Sequence, residues 1–499
     1  MFVFSARWRQ LILFVLFPMC SISQESIGLI IGNFTGIQAA RINPSLINSQ
    51  KVYLNFNVIS SSALVQNDFA YFPQEDVNIW GLIFGTDSLP TYSKPFIHYR
   101  YVENSQNKNV AVIANAYGPS FMLSSKKHSF GFHIASRSYS SGTDIPYEIP
   151  IFATESQGYY PFHHINFNDG NFDVAELAWS EIGFTFATQL YKYYDHELDF
   201  GITLNSLLGT SGGFIKVYDM NYVVVDGKTV DIFNMDVDAG FSLPVDYNTN
   251  EFVPEPYIKG KGMGLDLGIT YTRLKSNIQK NKNLRNCEYE YLDYDWRVGL
   301  SLLDAGAIRF NKSAELHKGR EIDVYWDRVD SLEANSIHQI IGDVSEVLLG
   351  SREASLVSDN FTMALPAALS IQFDWHIKEN IYLNALFVQP VSIYQYQVQR
   401  PAILSFTPRF ESVFFEFSLP VSLYNYSLLR LGASVRFGPV TLGTERLGML
   451  MGISDINGLD FYASVKFGFL KGKCYQNRDI GACFNSDSYE SERKSRYYK

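Results

Sequence analysis

The chain has 499 residues, a net charge of −10 at neutral pH, 15 % aromatic residues and 18 % charged ones, against about 25 % charged in ordinary soluble domains. An acidic balance of this kind offers no basic face and argues against a nucleic-acid partner. After the leader no apolar run reaches the ~20 residues that a membrane-crossing helix requires. If the chain crosses a bilayer, it does so as a closed barrel, which leaves no backbone group unsatisfied in lipid.

In chain order the first feature is a leader. Arg7 and Arg9 precede the apolar core Leu11 to Met19, and Ser21-Ile22-Ser23 puts small residues before Gln24. That layout predicts a cleaved secretory signal over residues 1–23. Cys20 follows Phe17-Pro18-Met19, a poor context for lipidation. Loss of the two arginines takes the charge from −10 to −12. Residues 24–50 are rich in small residues and lack alternation, so they are expected to fold inside the barrel as a plug.

From residue 51 to 470 the dominant signal is period-two alternation, which sends successive side chains to opposite faces of a sheet. Hairpin turns are predicted at Lys126-Lys127-His128, Tyr194-Asp195-His196, Asp226-Gly227 (as a type I′ pair) and Lys378-Glu379-Asn380. Residues 139–177, with Pro146, Pro150 and Pro161, read as a long extracellular insertion. Over 293–302, Tyr294, Trp296, Val298, Leu300 and Leu302 alternate with Asp293, Asp295, Arg297, Gly299 and Ser301. Residues 313–360 form a second insertion with a helical interval around Ile337 to Leu348, placed to cap the mouth or enter the lumen. Over 370–378, Ile371, Phe373, Trp375 and Ile377 oppose Ser370, Gln372, Asp374 and His376. Residues 412–423 and 429–438 repeat the pattern, with Glu416, Arg430 and Arg436 on the polar face. Residues 460–470 are the natural closing strand, and 471–499 a polar periplasmic tail.

These segments run nine to twelve residues, the length of a tilted transmembrane strand. Apolar side chains on one face and charges on the other predict lipid outside and a wet interior. The expected fold is therefore an all-β, antiparallel transmembrane barrel of about 12–16 strands. Arg297, Arg430, Arg436, Asp293, Asp295, Asp374 and Glu416 would line its lumen.

Several short motifs then resemble a known family. Asn33-Phe34-Thr35-Gly36-Ile37-Gln38 is followed by Asn43-Pro44-Ser45, where the family's usual alanine is replaced by Ser45. Gly260 to Gly268 resembles its G-x-G-x-x-x-D-x-G strand, Leu365-Pro366-Ala367-Ala368-Leu369 its L-P-x-x-L segment, and Gly438 to Glu445 its late hairpin. Together they resemble the DUF5723-like outer-membrane barrels of Bacteroidetes, remote relatives of the fatty-acid transporter (FadL-like) barrels and of type IX secretion barrel components. The resemblance covers about Asn33 to Leu470. It implies a barrel of about 14 strands with an N-terminal plug, anchored by Asn43 and Pro44, and location in the outer membrane of a Gram-negative cell.

Other chemistry is thin. The glycines at 260, 262, 264 and 268 mimic a dinucleotide fingerprint, but more strand follows where a helix would be needed. Asp231, Asp236 and Asp238 read as an acidic hairpin rather than a calcium site. His163-His164 would point apart on extended chain. Cys474 and Cys483 are spaced to close a small disulfide loop in an oxidising compartment. No nucleophile elbow or zinc motif is present, so no enzyme, cofactor or metal is expected. The expected function is passive transport of small or hydrophobic solutes through the plugged lumen. The alternative is a non-transporting, surface or secretion-associated barrel whose loops bind a partner. Outer-membrane lipid is the expected partner in either case, with a hydrophobic small molecule or secretion components beside it.

Overall fold

The structure, a computed structural model, describes residues 27–470 apart from 78, 84–85, 87–98, 103, 126, 156–158, 276–292 and 333–334. The first strands are β1 (Val52–Asn67), the short β2 (Ala70–Tyr71) and β3 (Arg100–Tyr101), β4 (Lys108–Tyr117), β5 (Ser120–Ser124), β6 (His128–Ile145), β7 (Asn166–Tyr193) and β8 (His196–Val224). Next come β9 (Val230–Ser242), β10 (Gly260–Leu274), β11 (Tyr294–Phe310), β12 (Glu315–Gly319), β13 (Val324–Trp326), β14 (Leu356–Ser358), β15 (Phe361–Ala364) and β16 (Ala368–Lys378). The last are β17 (Ile381–Pro390), β18 (Ile403–Glu411), β19 (Phe415–Ser418), β20 (Val421–Tyr424), β21 (Leu428–Leu431), β22 (Ala433–Phe437), β23 (Val440–Thr444) and β24 (Gly458–Leu470).

Four pairs of these are single staves with a local break: β4–β5 at Gly118-Pro119, β15–β16 at Leu365-Pro366-Ala367, β19–β20 at Leu419-Pro420, and β21–β22 at Gly432. A proline cannot donate to the ladder, which explains three of the breaks. Going round the wall, the staves are β1, β4–β5, β6, β7, β8, β10, β11, β15–β16, β17, β18, β19–β20, β21–β22, β23 and β24. β24 pairs back onto β1 from Val52↔Leu470 to Gln66↔Gly458. The result is a closed antiparallel barrel of 14 staves. Tight turns such as Tyr194-Asp195, Glu379-Asn380 and Gly438-Pro439 gather at the end where β1 begins and β24 finishes.

Burial in this barrel is inverted. On β16, Ser370, Gln372, Asp374 and His376 are at most 4 % exposed, whereas Leu369, Ile371, Phe373 and Trp375 are 41–47 % exposed. The same inversion holds on β22, where Ser434 and Arg436 are buried and Val435 and Phe437 exposed. Polar side chains fill the inside and apolar ones form the outer belt, as period-two alternation requires of a barrel set in lipid.

At the end away from the tight turns, β7 (28 residues) and β8 (29 residues) run far past the wall. β9 pairs with the outer half of β8, and β12 and β13 pair with β9. The helix Ile337–Leu349 is capped by Ser336, whose Oγ accepts from Gln339 N, and by Gly350 at φ +82°. Its Leu348 and Leu349 pack against the apolar cluster that includes Val217, Ile232 and Ile322. Residues 313–360 thus build an outer extension and do not enter the lumen. Within 139–177, residues 139–145 and 166–177 continue β6 and β7, leaving only 146–165 as the connection. The prolines that suggested a longer loop sit in that connection. At Asp226-Gly227 the chain does reverse, but Val224 pairs with Val230, so five residues intervene. Asp226 Oδ1 closes this turn by accepting from Lys228 N and Thr229 N (2.8 and 2.9 Å), and no two-residue type I′ loop forms.

Candidate functional site

Residues 27–50 lie inside the barrel, and nearly all of them are buried. Two short 3-10 turns, Gly36–Arg41 and Pro44–Ile47, shape this segment. Asn43 caps the second, its Oδ1 accepting from Ser45 N and Ser45 Oγ at 3.0 and 2.6 Å. Pro44 occupies the first helical position, where its missing N–H costs nothing. The other end of the Asn43 amide reaches the wall, donating to Ile269 O (3.2 Å), Thr270 Oγ1 (3.3 Å) and Gln372 Oε1 (2.9 Å).

Three glycines on neighbouring staves make room for this contact. A Cβ on Gly201 would stand 2.3 Å from Ser45 N, and one on Gly268 2.0 Å from Asn43 Oδ1. A Cβ on Gly299 would stand 2.8 Å from Asn43 Nδ2. Close backbone approach is therefore the reason for glycine here.

A charged network holds the remainder of the plug. Asp374 Oδ2 forms an ion pair with Arg297 Nη2 (3.0 Å) and accepts from Arg409 Nη2 (3.1 Å) and Tyr294 Oη (2.5 Å). Arg297 Nη2 also donates to Ile31 O at 2.6 Å. Arg409 pairs in turn with Glu411 (2.5 Å), whose two oxygens accept from Asn33. Arg436 pairs with Glu416 at 2.8 Å and lies over the Phe34 ring at 5.1 Å. Buried charges of this kind persist only when paired and hydrogen-bonded.

Above the plug the lumen is filled from the opposite end. Asp304 sits at a bulge with φ +52°, which turns its carboxylate inward. There it meets Arg137 at 2.7 Å and also pairs with Arg400. Arg400 belongs to the connection 391–402, which dips into the barrel: Arg400 Nε donates to Pro366 O and Gln399 N to Ser141 Oγ. Leu177, Trp179, Phe310, Met363, Leu365 and Val398 close an apolar layer over this cluster, each at most 1 % exposed. Between plug and wall, beside Arg41, Asn57, His133 and Asp266, a cavity of about 40 Å³ remains. That is room for a few water molecules at about 10–15 Å³ each.

Of the lumen-lining residues expected from alternation, Arg297, Arg430, Arg436, Asp374 and Glu416 face inward and are buried. Arg430 lies over the Tyr424 ring at 3.7 Å and donates to Gln66. Asp295 does not join them. Arg273 pairs with Trp296 and Leu274 with Tyr294, so Asp295 is the extra residue of a bulge and Tyr294 takes the inward place. Asp293 lies at the rim, half-exposed and 4.0 Å from Lys51. Asp236 and Asp238 are engaged by Glu321 N and Arg320, respectively. Among the described residues no group of three potential metal ligands exists. Cys20, Cys287, Cys474 and Cys483, and the disulfide suggested for the last two, lie outside the described residues. Alternation in the segments chosen missed Arg409 and Glu411. It would have found them on β18, where Ser405, Thr407, Arg409 and Glu411 share the inward phase.

Residues 44–445 match the profile described as "Family of unknown function (DUF5723)". No curated protein matches the chain in sequence. Among solved structures, the Ralstonia pickettii toluene transporter TbuX is similar at 10 % identity and TM-score 0.38, over 87 % of this chain and 94 % of that one. The Pseudomonas putida toluene transporter TodX gives 11 %, 0.30, 87 % and 94 %. A Pseudomonas aeruginosa FadL homologue gives 8 %, 0.22, 90 % and 99 %.

Proposed function

The chain belongs to the family of unknown function DUF5723, and from that premise we propose that it is a Gram-negative outer-membrane barrel, closed at rest, that anchors an outward-facing surface. The exposed belt supports the membrane placement. Phe184, Leu204, Leu300, Ile371, Phe406, Leu429 and Phe437 are 47–75 % exposed around the wall, far more contiguous apolar surface than a soluble monomer carries. No helix among the described residues is long and apolar enough to cross a membrane, so the staves would do so, with outer-membrane lipid as partner. The observation that carries the anchoring role is the filled lumen, occupied by residues 27–50 from one end and 391–402 from the other. The extension on β7 and β8 is then the surface presented outside the cell, to secretion components or another partner. The reading requires no catalytic group.

Plug-gated passage of small or hydrophobic solutes is the second reading. It is favoured by the apolar layer of Leu177, Trp179 and Phe310 inside the barrel, a wall that a hydrophobic molecule would wet once 391–402 lifted. Planar-bilayer recording of the full protein separates the two. Anchoring predicts silence with the wild type and an unimpaired deletion strain. Stepwise conductance, or solute uptake by proteoliposomes above the empty-vesicle rate, would replace it with transport.

A further inference from the structure

A cavity of about 470 Å³ opens in the outer extension, within the usual range for small-molecule sites of ~300–1,000 Å³. Its walls are built rigidly. His338 N donates to Tyr247 O (3.0 Å), and Asn250 bridges Ile337 N and Asn335 O (3.1 and 3.0 Å). Tyr247 Oη accepts from Leu243 N at 2.9 Å and donates to Ser313 O. Lys259 forms part of the lining. Its backbone is pinned by Gly209 O and by Asn311 N, and the residue is 2 % exposed. Among the described residues its ammonium meets no side-chain or backbone acceptor, and it is not sealed off from the cavity. An ammonium that opens on the cavity without a protein acceptor presents its donors to whatever acceptor fills that space.

The remaining lining settles the chemistry of that acceptor. Glu255 and Asp359 stand exposed at the rim. Asp246 and Glu315 also face the cavity but are engaged, by Asn248 N and by His338. An anionic ligand would satisfy Lys259 and meet four carboxylates; a cationic one would satisfy the carboxylates and meet Lys259. A hydroxyl group, donor and acceptor at once, suits both. We propose that this cavity binds a neutral sugar, with one ring oxygen accepting from Lys259 and neighbouring hydroxyls donating to Glu255 and Asp359. Asn311, also in the lining, offers an amide to either role.

The test uses the full protein in detergent, so its outcome is independent of whether the barrel conducts. D-glucose, D-galactose and D-mannose are titrated by saturation-transfer NMR, with D-glucuronate and D-glucosamine as charged comparators. Saturable binding of at least one neutral sugar is expected, about tenfold tighter than either comparator, and about tenfold weaker in Lys259→Met, the loss of one charge-assisted hydrogen bond. Should Lys259→Met fail to fold, reductive methylation of the wild type replaces it: the bound sugar should protect Lys259 from labelling. No binding by any of the three neutral sugars, tighter binding of a charged comparator, unchanged affinity in a folded Lys259→Met, or labelling unaffected by sugar would each overturn the assignment.

Discussion

Asn33 grips Glu411 with two hydrogen bonds, its Nδ2 donating to Oε2 at 2.7 Å and its backbone N–H to Oε1 at 3.1 Å. The two residues are 378 positions apart, one on the plug and one on the wall, and the same carboxylate pairs with Arg409. The plug is thus joined to the barrel through a buried ion pair.

Glu411→Ala removes both acceptors and leaves Arg409 with one fewer carboxylate. Breaking a buried pair from one side costs about 3–5 kcal/mol. The variant should unfold at lower urea than the wild type in liposomes, and limited proteolysis should cut within residues 27–50. A midpoint and a cleavage pattern equal to the wild type's would show that the plug is held elsewhere.

Gly268→Ala should displace Asn43, because its Cβ would lie 2.0 Å from Asn43 Oδ1. Overpacking of this kind costs about 1–3 kcal/mol. Gly118→Ala is the control, its nearest neighbour being 3.8 Å away. Thermal unfolding followed by heat-modifiable gel migration should separate the two variants clearly. Equal midpoints would refute the cradle.

Much of this is legible in the sequence. Alternation along 370–378 and 429–438 places Asp374, Arg430 and Arg436 inside because a barrel strand has only two faces. It failed at Asp295, where one inserted residue reverses the phase for Tyr294 without any mark in composition. The Arg137–Asp304–Arg400 cluster was invisible for another reason. Its members are 167 and 96 residues apart, and Asp304 turns inward only through a left-handed backbone at a bulge. The Asn43-Pro44 segment was legible as a motif, but its three glycine partners lie on separate staves and only the closed barrel brings them together.

Leu300→Arg tests the lipid-facing belt. Leu300 is 49 % exposed, and a cation near the bilayer midplane costs about 2–4 kcal/mol. Equilibrium folding into liposomes should report that loss, whereas the same variant in detergent should lose less. An equal, small effect in both would argue against membrane immersion at this level.

The outer extension should respond to acid. Burial pushes the Glu315 carboxyl up from its ordinary 4.5, but hydrogen bonds from His317 and His338, with their charges, outweigh burial and hold it below that value. Because the folded pKa is the lower one, this stabilisation is complete above about pH 4.5 and is lost as pH falls through the folded value. Hydrogen exchange in the helix Ile337–Leu349 should therefore accelerate below pH 4.5, and Glu315→Gln should exchange faster at neutral pH with a flatter acid response. A wild-type helix whose protection is indifferent to acid would remove His338–Glu315 as its tether.

The seam between β1 and β24 has a consequence for biogenesis. The stave that follows the plug is sealed by the final one, so the cylinder cannot shut until nearly all of the polypeptide has been delivered. Asn33, Asn43 and Lys51 take partners that emerge hundreds of residues after them. Assembly of such long-range pairings is slow, and it is complete only when the last stave docks.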